Sequence, residues 1–182
     1  MTVATPKIQD PPLHYRHWGS PLGPLLLCGT DRSLWGLGFP VDGEAAEPEP
    51  GWIRDRAGFS EVIHQLTEYF ARKRRRFSLS LRLGGTPFQM AVWSALGKIP
   101  YGETRSYRDV ARAIRRPLAM RAVGAANGNN PIPIIIPCHR VIGAHGDLVG
   151  FGGGLVLKKF LLELEGVRVE TSRSTSGSVT PD

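Results

Sequence analysis

At 182 residues, 41% of them hydrophobic, the chain is long enough to bury a core without disulfide staples, and its two cysteines, Cys28 and Cys138, make no disulfide framework. No apolar run reaches the roughly 18 residues of a membrane span, and no charged leader precedes an apolar stretch, so the expected setting is cytoplasmic and reducing, with no membrane partner. A net charge of +7 favours a polyanionic partner, and the positive field belongs to the second half: residues 84–169 hold 11 Lys and Arg against 5 Asp and Glu, residues 1–83 hold 11 against 9.

Residues 1–12 are polar and proline-bearing, a loose lead-in. His14–Trp18 and Leu25–Cys28 read as strands joined by a turn over Gly19–Pro24, and Leu34–Phe39 as a third. Cys28 falls at a strand end and reads as packing. Residues 41–51, acidic and proline-rich, read as a solvated loop. Ser60 starts a helix in which Val62, Ile63, Leu66, Tyr69 and Phe70 recur at helical spacing. The run Arg72–Arg76 closes it, either complementing the helix dipole or contacting phosphate. Phe77–Leu83 alternates like a last strand, and Gly84-Gly85 marks the end of an N-terminal α/β domain, residues 1–83.

The second domain, residues 84–169, opens on Thr86-Pro87-Phe88-Gln89, a capped helix start whose apolar face continues through Val92, Trp93, Ala95 and Leu96. Ile99–Gly102 breaks that helix. Ser106 with Asp109 caps a second, with Val110, Ala111 and Ile114 as its buried stripe, and Arg115-Arg116-Pro117 turns the chain into a third, Leu118–Asn127. This pairing is compatible with a helix-turn-helix. Small residues dominate the third helix, with Arg121 its one long charged side chain. Such a helix either packs tightly in the core or lies close to a ligand and sends the arginine into it. The surrounding Arg105, Arg108, Arg112, Arg115 and Arg116 favour DNA.

Ile134–Ile136 reads as a short buried strand ended by Pro137. It delivers Cys138 to a turn beside His139 and Arg140. A thiol needs such neighbours to react, because the thiolate is the nucleophile; the alternative is a free cysteine packed as a small hydrophobe. Val141-Ile142 is a further strand. The glycine-rich loop 143–154 fits no phosphate-binding spacing, so its glycines let backbone amides approach a ligand. Leu155–Glu165 is the last helix, with Val156, Phe160, Leu161 and Leu164 inward and Gly166 its stop. Glu165 opposes the helix dipole, and the His139 imidazole is its expected partner. Residues 170–182, rich in Ser and Thr, read as a disordered tail. The fold class is α+β: a small antiparallel-sheet and helix domain, then a helical domain with a helix-turn-helix and a short active-site strand.

The motif Ile136-Pro-Cys-His-Arg-Val141, with Ile99-Pro-Tyr-Gly-Glu-Thr-Arg-Ser-Tyr107, Arg121-Ala-Val-Gly124 and Asn130-Pro131, resembles the O6-alkylguanine-DNA alkyltransferase family, the methylated-DNA–protein-cysteine methyltransferases, bacterial members above all. The resemblance is strong from Thr86 to about Gly166 and looser before it. It implies that Cys138 accepts an alkyl group from O6-alkylguanine, or O4-alkylthymine, in flipped-out duplex DNA, once and irreversibly, with no cofactor. It further implies His139 as base through a water, Glu165 orienting the imidazole and Asn130 holding the turn. Arg121 would enter the duplex, and Tyr107 would press on the target phosphate and help protonate the departing base. Ser106, Ala122 and Ala126 would add DNA contacts, while Val141, Phe151 and Gly152 line the base pocket. A monomer is implied. Two departures stand out: Phe151-Gly152 replaces the Tyr-Ser of some relatives, which removes a hydroxyl and widens the pocket, and the zinc site of some relatives has no counterpart. A lesion sensor would lack the thiol. A transcription regulator would prefer a DNA sequence to a lesion, and a cysteine hydrolase leaves the basic helices unmotivated.

Overall fold

The computed structural model describes residues 12–169, so the expectations for the lead-in, Pro12 excepted, and for the tail lie outside the described residues. β1 (His14–Ser20) and β2 (Gly23–Gly29) form an antiparallel hairpin, with Gly23 at φ 94° in its turn. β3 (Leu34–Gly38) pairs antiparallel with β2, and β4 (Ile53–Arg54) adds in parallel to β1, giving the order β3-β2-β1-β4. Leu25, Leu27 and Leu37 face the core, which also takes Leu66 and Tyr69 of α1 (Ser60–Phe70). The 41–51 loop is less solvated than its composition predicts. Its Ala46 carbonyl lies 2.9 Å from His17 Nε2, and Ala45, Ala46, Pro48 and Glu49 are half-buried.

Two expectations of the first half change. The basic run lies beyond α1 rather than in its last turn: Arg72 adopts φ 59°, Arg74 Nε pairs with Glu68 Oε2 at 2.7 Å, and Arg75 sits over the Tyr101 ring at 5.7 Å. Phe77–Leu83 is extended but forms no strand, joining β3 through a single bridge between Leu34 and Leu81. The ladder cannot continue because the Leu37 N–H further along β3 donates to the Pro131 carbonyl at 2.9 Å.

The second half holds α2 (Pro87–Leu96), α3 (Tyr107–Ala113), α4 (Met120–Gly128) and α5 (Gly154–Leu164), with β5 (Arg105–Ser106) parallel to β6 (Val141–Ile142). Thr86 with Gln89 and Ser106 with Asp109 form full capping boxes on α2 and α3. The core is continuous from the sheet through Val92, Val110, Val123 and Ile132 to Leu161. The overall class is α+β, as read from the sequence.

Ile134–Ile136 is a tight turn, not a strand. Ile134 sits at φ 73°, the Ile136 N–H donates to the Ile132 carbonyl at 2.9 Å, and Pro133 bridges to Ile136. Pro131 and Pro133 have no N–H for a ladder, so three β-branched residues cannot make one here. A β-branched residue at positive φ is strained; the complete burial of Ile132 and Ile134 holds it in place. In α5 the inward stripe is Lys158, Leu161, Leu162 and Glu165, while Val156 is 81% exposed and Phe160 also faces out. The stripe is rotated from its expected phase because two charged residues occupy it.

Candidate active site

Cys138 opens a 3-10 turn, Cys138–Arg140, directly after the strained isoleucine turn, and its N–H donates to the Ile136 carbonyl at 2.8 Å. The turn is anchored by Asn130: its Nδ2 donates to the Ile136 carbonyl at 2.7 Å, and its Oδ1 accepts the Ile132 N–H at 3.1 Å. Asn127 Nδ2 reaches the Cys138 carbonyl at 3.4 Å. Burial pushes the Cys138 thiol up to about 11, against a hydrogen bond from Asn130 and the nearby charge of Lys158, which both pull it down. Cys28, deep in β2, is pushed to about 12 by burial and then by Glu49, which makes it inert.

The next two residues of the turn converge on Glu165 at the C-cap of α5. His139 Nε2 lies 2.9 Å from Oε1, while Arg140 forks across both oxygens, Nε to Oε2 at 2.8 Å and Nη2 to Oε1 at 2.9 Å. Tyr69 of α1 donates its hydroxyl to Oε1 at 2.7 Å, and the Gly102 N–H reaches Oε2 at 3.1 Å. Gly102 holds φ 77°, and a Cβ there would stand 3.0 Å from the Glu165 carbonyl, so the loop needs glycine. Burial works to raise the Glu165 carboxyl, but the hydrogen bonds from His139 and Arg140 outweigh it and hold the group well below the usual carboxylate range. Burial lowers the His139 pKa, so the ring is neutral. An ionised carboxylate only accepts, so the ring proton is on Nε2 and Nδ1 carries a free lone pair. That Nδ1 is buried and has no hydrogen-bond partner among the described residues, like Asn127 Oδ1. A neutral imidazole with a carboxylate behind it and an unpaired ring nitrogen, on the residue next in the chain to a thiol, is the set that a general base and its nucleophile require.

The α3–α4 pair supplies a surface. Arg121 and Ala122 are exposed on α4, and Val123, Ala126 and Asn127 face the core. Ala126 therefore does not share the outer face expected of it: its side chain is buried and its carbonyl accepts the Trp93 indole N–H at 2.9 Å. Helical periodicity puts residue 126 about 40° round from residue 122, so the border between the outer and inner faces of α4 runs between them. The Ser106 hydroxyl is engaged in its cap, donating to Asp109 at 2.7 Å. Tyr107 donates from its hydroxyl to the Val149 carbonyl at 3.2 Å, tying α3 to the glycine loop, and its ring lies over Gly124 of α4. Burial, then the charge of Cys138, raise the Tyr107 pKa, so it remains a donor. Phe151 packs against Phe39 with ring centroids 5.4 Å apart, and Gly152 is exposed beside the Gly128 carbonyl. Val141 is fully buried, its carbonyl accepting Lys158 Nζ at 2.6 Å. No group of three metal-ligating side chains occurs among the described residues.

Sequence reasoning missed Tyr69, Gly102 and Lys158 as members of this cluster and saw Arg140 only as a cation near the thiol. The signal for Lys158 was its spacing: Lys158, Leu161, Leu162 and Glu165 fall at i, i+3, i+4 and i+7, one helical face.

Two family models match the chain: "6-O-methylguanine DNA methyltransferase, ribonuclease-like domain" over residues 13–83, and the DNA binding domain of the same name over residues 87–167. The methylated-DNA–protein-cysteine methyltransferase of Mycobacterium leprae is 50% identical over 160 residues, 88% of this chain and 96% of the relative. That of Methanosarcina acetivorans is 47% identical over 154 residues, 85% of this chain and 99% of the relative. The crystal structure of Mycobacterium tuberculosis OGT in complex with DNA is similar with a TM-score of 0.79 at 51% identity, covering 84% of this chain and 92% of that one.

Proposed function

The chain belongs to the 6-O-methylguanine DNA methyltransferase family, and we propose that it repairs DNA by moving the alkyl group of O6-alkylguanine onto Cys138 in a single turnover. The observation that carries this reading is the buried Cys138, His139 and Glu165 set lying behind helices that present Arg121 outward. The lesion is hidden in the base stack, so the base is flipped into the pocket at a cost of a few kcal/mol. Arg121 fills the space it leaves, with Ala122 allowing close approach. Ser106 and Tyr107 meet the phosphate backbone at the start of α3.

The thiol proton passes to His139 Nδ1 through a water, while the Nε2–H bond to Glu165 steadies the imidazolium that forms. The thiolate attacks the alkyl carbon; the sulfur–carbon bond forms as the carbon–O6 bond breaks, and the electron pair leaves with guanine. Tyr107 donates toward N3 of the departing base. Asn130 holds the turn, and Val141, Phe151 and Gly152 bound the pocket, roomy enough for larger alkyl groups and for O4-alkylthymine. The thioether has no leaving group to reverse the step, so each chain acts once. The protein works in this reading as a cytoplasmic monomer. Incubation with duplex DNA carrying one O6-methylguanine should add one methyl per chain by intact mass, at Cys138, and none in Cys138→Ser. Repeated turnover by unmodified protein, or binding to one DNA sequence far more tightly than to random duplex, would overturn it.

A further inference from the structure

Lys158 is the largest buried charge that this mechanism leaves idle. It lies on the inner face of α5 with no accessible surface, yet no carboxylate pairs with it among the described residues; the buried carboxylate nearby, Glu165, is taken by Arg140 and His139. Its Nζ donates to the Val141 carbonyl at 2.6 Å and to the Val149 carbonyl at 2.7 Å. One acceptor follows the Cys138–Arg140 turn, and the other belongs to the loop that Tyr107 also holds, so the ammonium clamps both walls of the pocket. Carbonyl dipoles solvate an ammonium but do not cancel its charge, and a buried uncancelled charge is costly.

The charges around Cys138 close the argument. Glu165 and Arg140 cancel, His139 is neutral, Tyr107 is a protonated phenol, and Asn130 and Asn127 are amides. That leaves Lys158, held on the carbonyl of Val141 three residues beyond Cys138, as the net positive charge of the site. From this geometry, and resting on Cys138 being the nucleophile as proposed above, we infer that Lys158 is a positioning residue whose ammonium is the counter-charge of the Cys138 thiolate. Each charge alone is disfavoured by burial, the amine falling to about 8 and the thiol rising, and each draws the other back toward its ionised form.

The test uses iodoacetamide, which needs no DNA, on the full chain. In Lys158→Met, confirmed folded by near-ultraviolet circular dichroism, the pH profile of Cys138 carboxamidomethylation should move to higher pH and the rate at pH 7 should fall about tenfold or more. Lys158→Arg, which keeps the charge, should restore part of it. A folded Lys158→Met with an unmoved profile overturns the inference. Should that variant fail to fold, nitrogen-15 NMR of Lys158 decides instead, because the coupling is reciprocal. In Cys138→Ala the ammonium should lose its proton at lower pH than in the unsubstituted protein, and equal titration overturns the inference. Failure of the alkyl-transfer reading would appear separately, as absence of methyl transfer from DNA in the unsubstituted protein.

Discussion

Replacing Tyr69 by Phe isolates one hydrogen bond in the buried network. Tyr69 is completely buried, and its ring stacks near Phe70, Phe77 and Tyr101 with centroids 5.4, 5.4 and 6.1 Å away. Phenylalanine keeps that packing and deletes only the hydroxyl, which donates to Glu165 Oε1 at 2.7 Å. Burial, then the carboxylate itself, push the phenol pKa far above its ordinary value, so the hydroxyl is a donor at every working pH. A hydrogen bond to a charged group contributes about 1.5–3 kcal/mol net. The carboxylate keeps His139, the Arg140 fork and the Gly102 N–H, so no buried charge is orphaned and the cost stays within that range. For a domain of this size the melting temperature should drop by roughly 3–12 °C. Calorimetry and urea titration read the stability. Iodoacetamide reactivity of Cys138 should stay within about twofold, because the imidazole keeps its partner. A loss below about 0.5 kcal/mol would mean that Glu165 is satisfied without the tyrosine, and the network as described would be wrong.

Glu165→Gln removes the counter-charge of Arg140 as well as the acceptor of His139, and should destabilise by about 3–5 kcal/mol, seen in urea titrations, with slower alkylation of Cys138. Acid should weaken the fold in two stages. His139 has its pKa lowered by burial, so its contribution is complete above about pH 6.5 and is lost as pH falls from there toward the folded value; below about pH 4.3 Glu165 adds a second loss of the same sign. Stability of His139→Gln measured between pH 7 and 5 should lack the first limb, and an identical slope would refute the assignment. Arg121→Ala should slow repair of duplex DNA by roughly tenfold or more while leaving the reaction with free O6-methylguanine nearly unchanged, since a free base needs no flipping. Equal slowing of both would place Arg121 in support of the pocket instead.

Local rules carried much of the fold. The capping pairs Thr86 with Gln89 and Ser106 with Asp109, the hairpin around Gly23 and the stop at Gly166 are decided within a few residues, and each forms where the sequence places it. Period and β-propensity failed where distant partners decide. Ile134–Ile136 has the composition of a strand, but its proline neighbours cannot join a ladder and the β3 edge is already taken by Pro131, so the segment turns. Phe77–Leu83 alternates like a strand and stops at one bridge for want of a free edge. In the candidate site, adjacency along the chain identified Cys138 with His139, and a broken helix-dipole rule pointed to Glu165. The five donors on that carboxylate come from residues 69, 102, 139 and 140, and no pattern along the chain joins them. Lys158 shares a helical face with Leu161, Leu162 and Glu165, but that spacing does not reveal the Val141 and Val149 carbonyls that receive its ammonium. The sequence alone determines which groups can ionise; burial and partners, set only by the tertiary packing, determine which of them do.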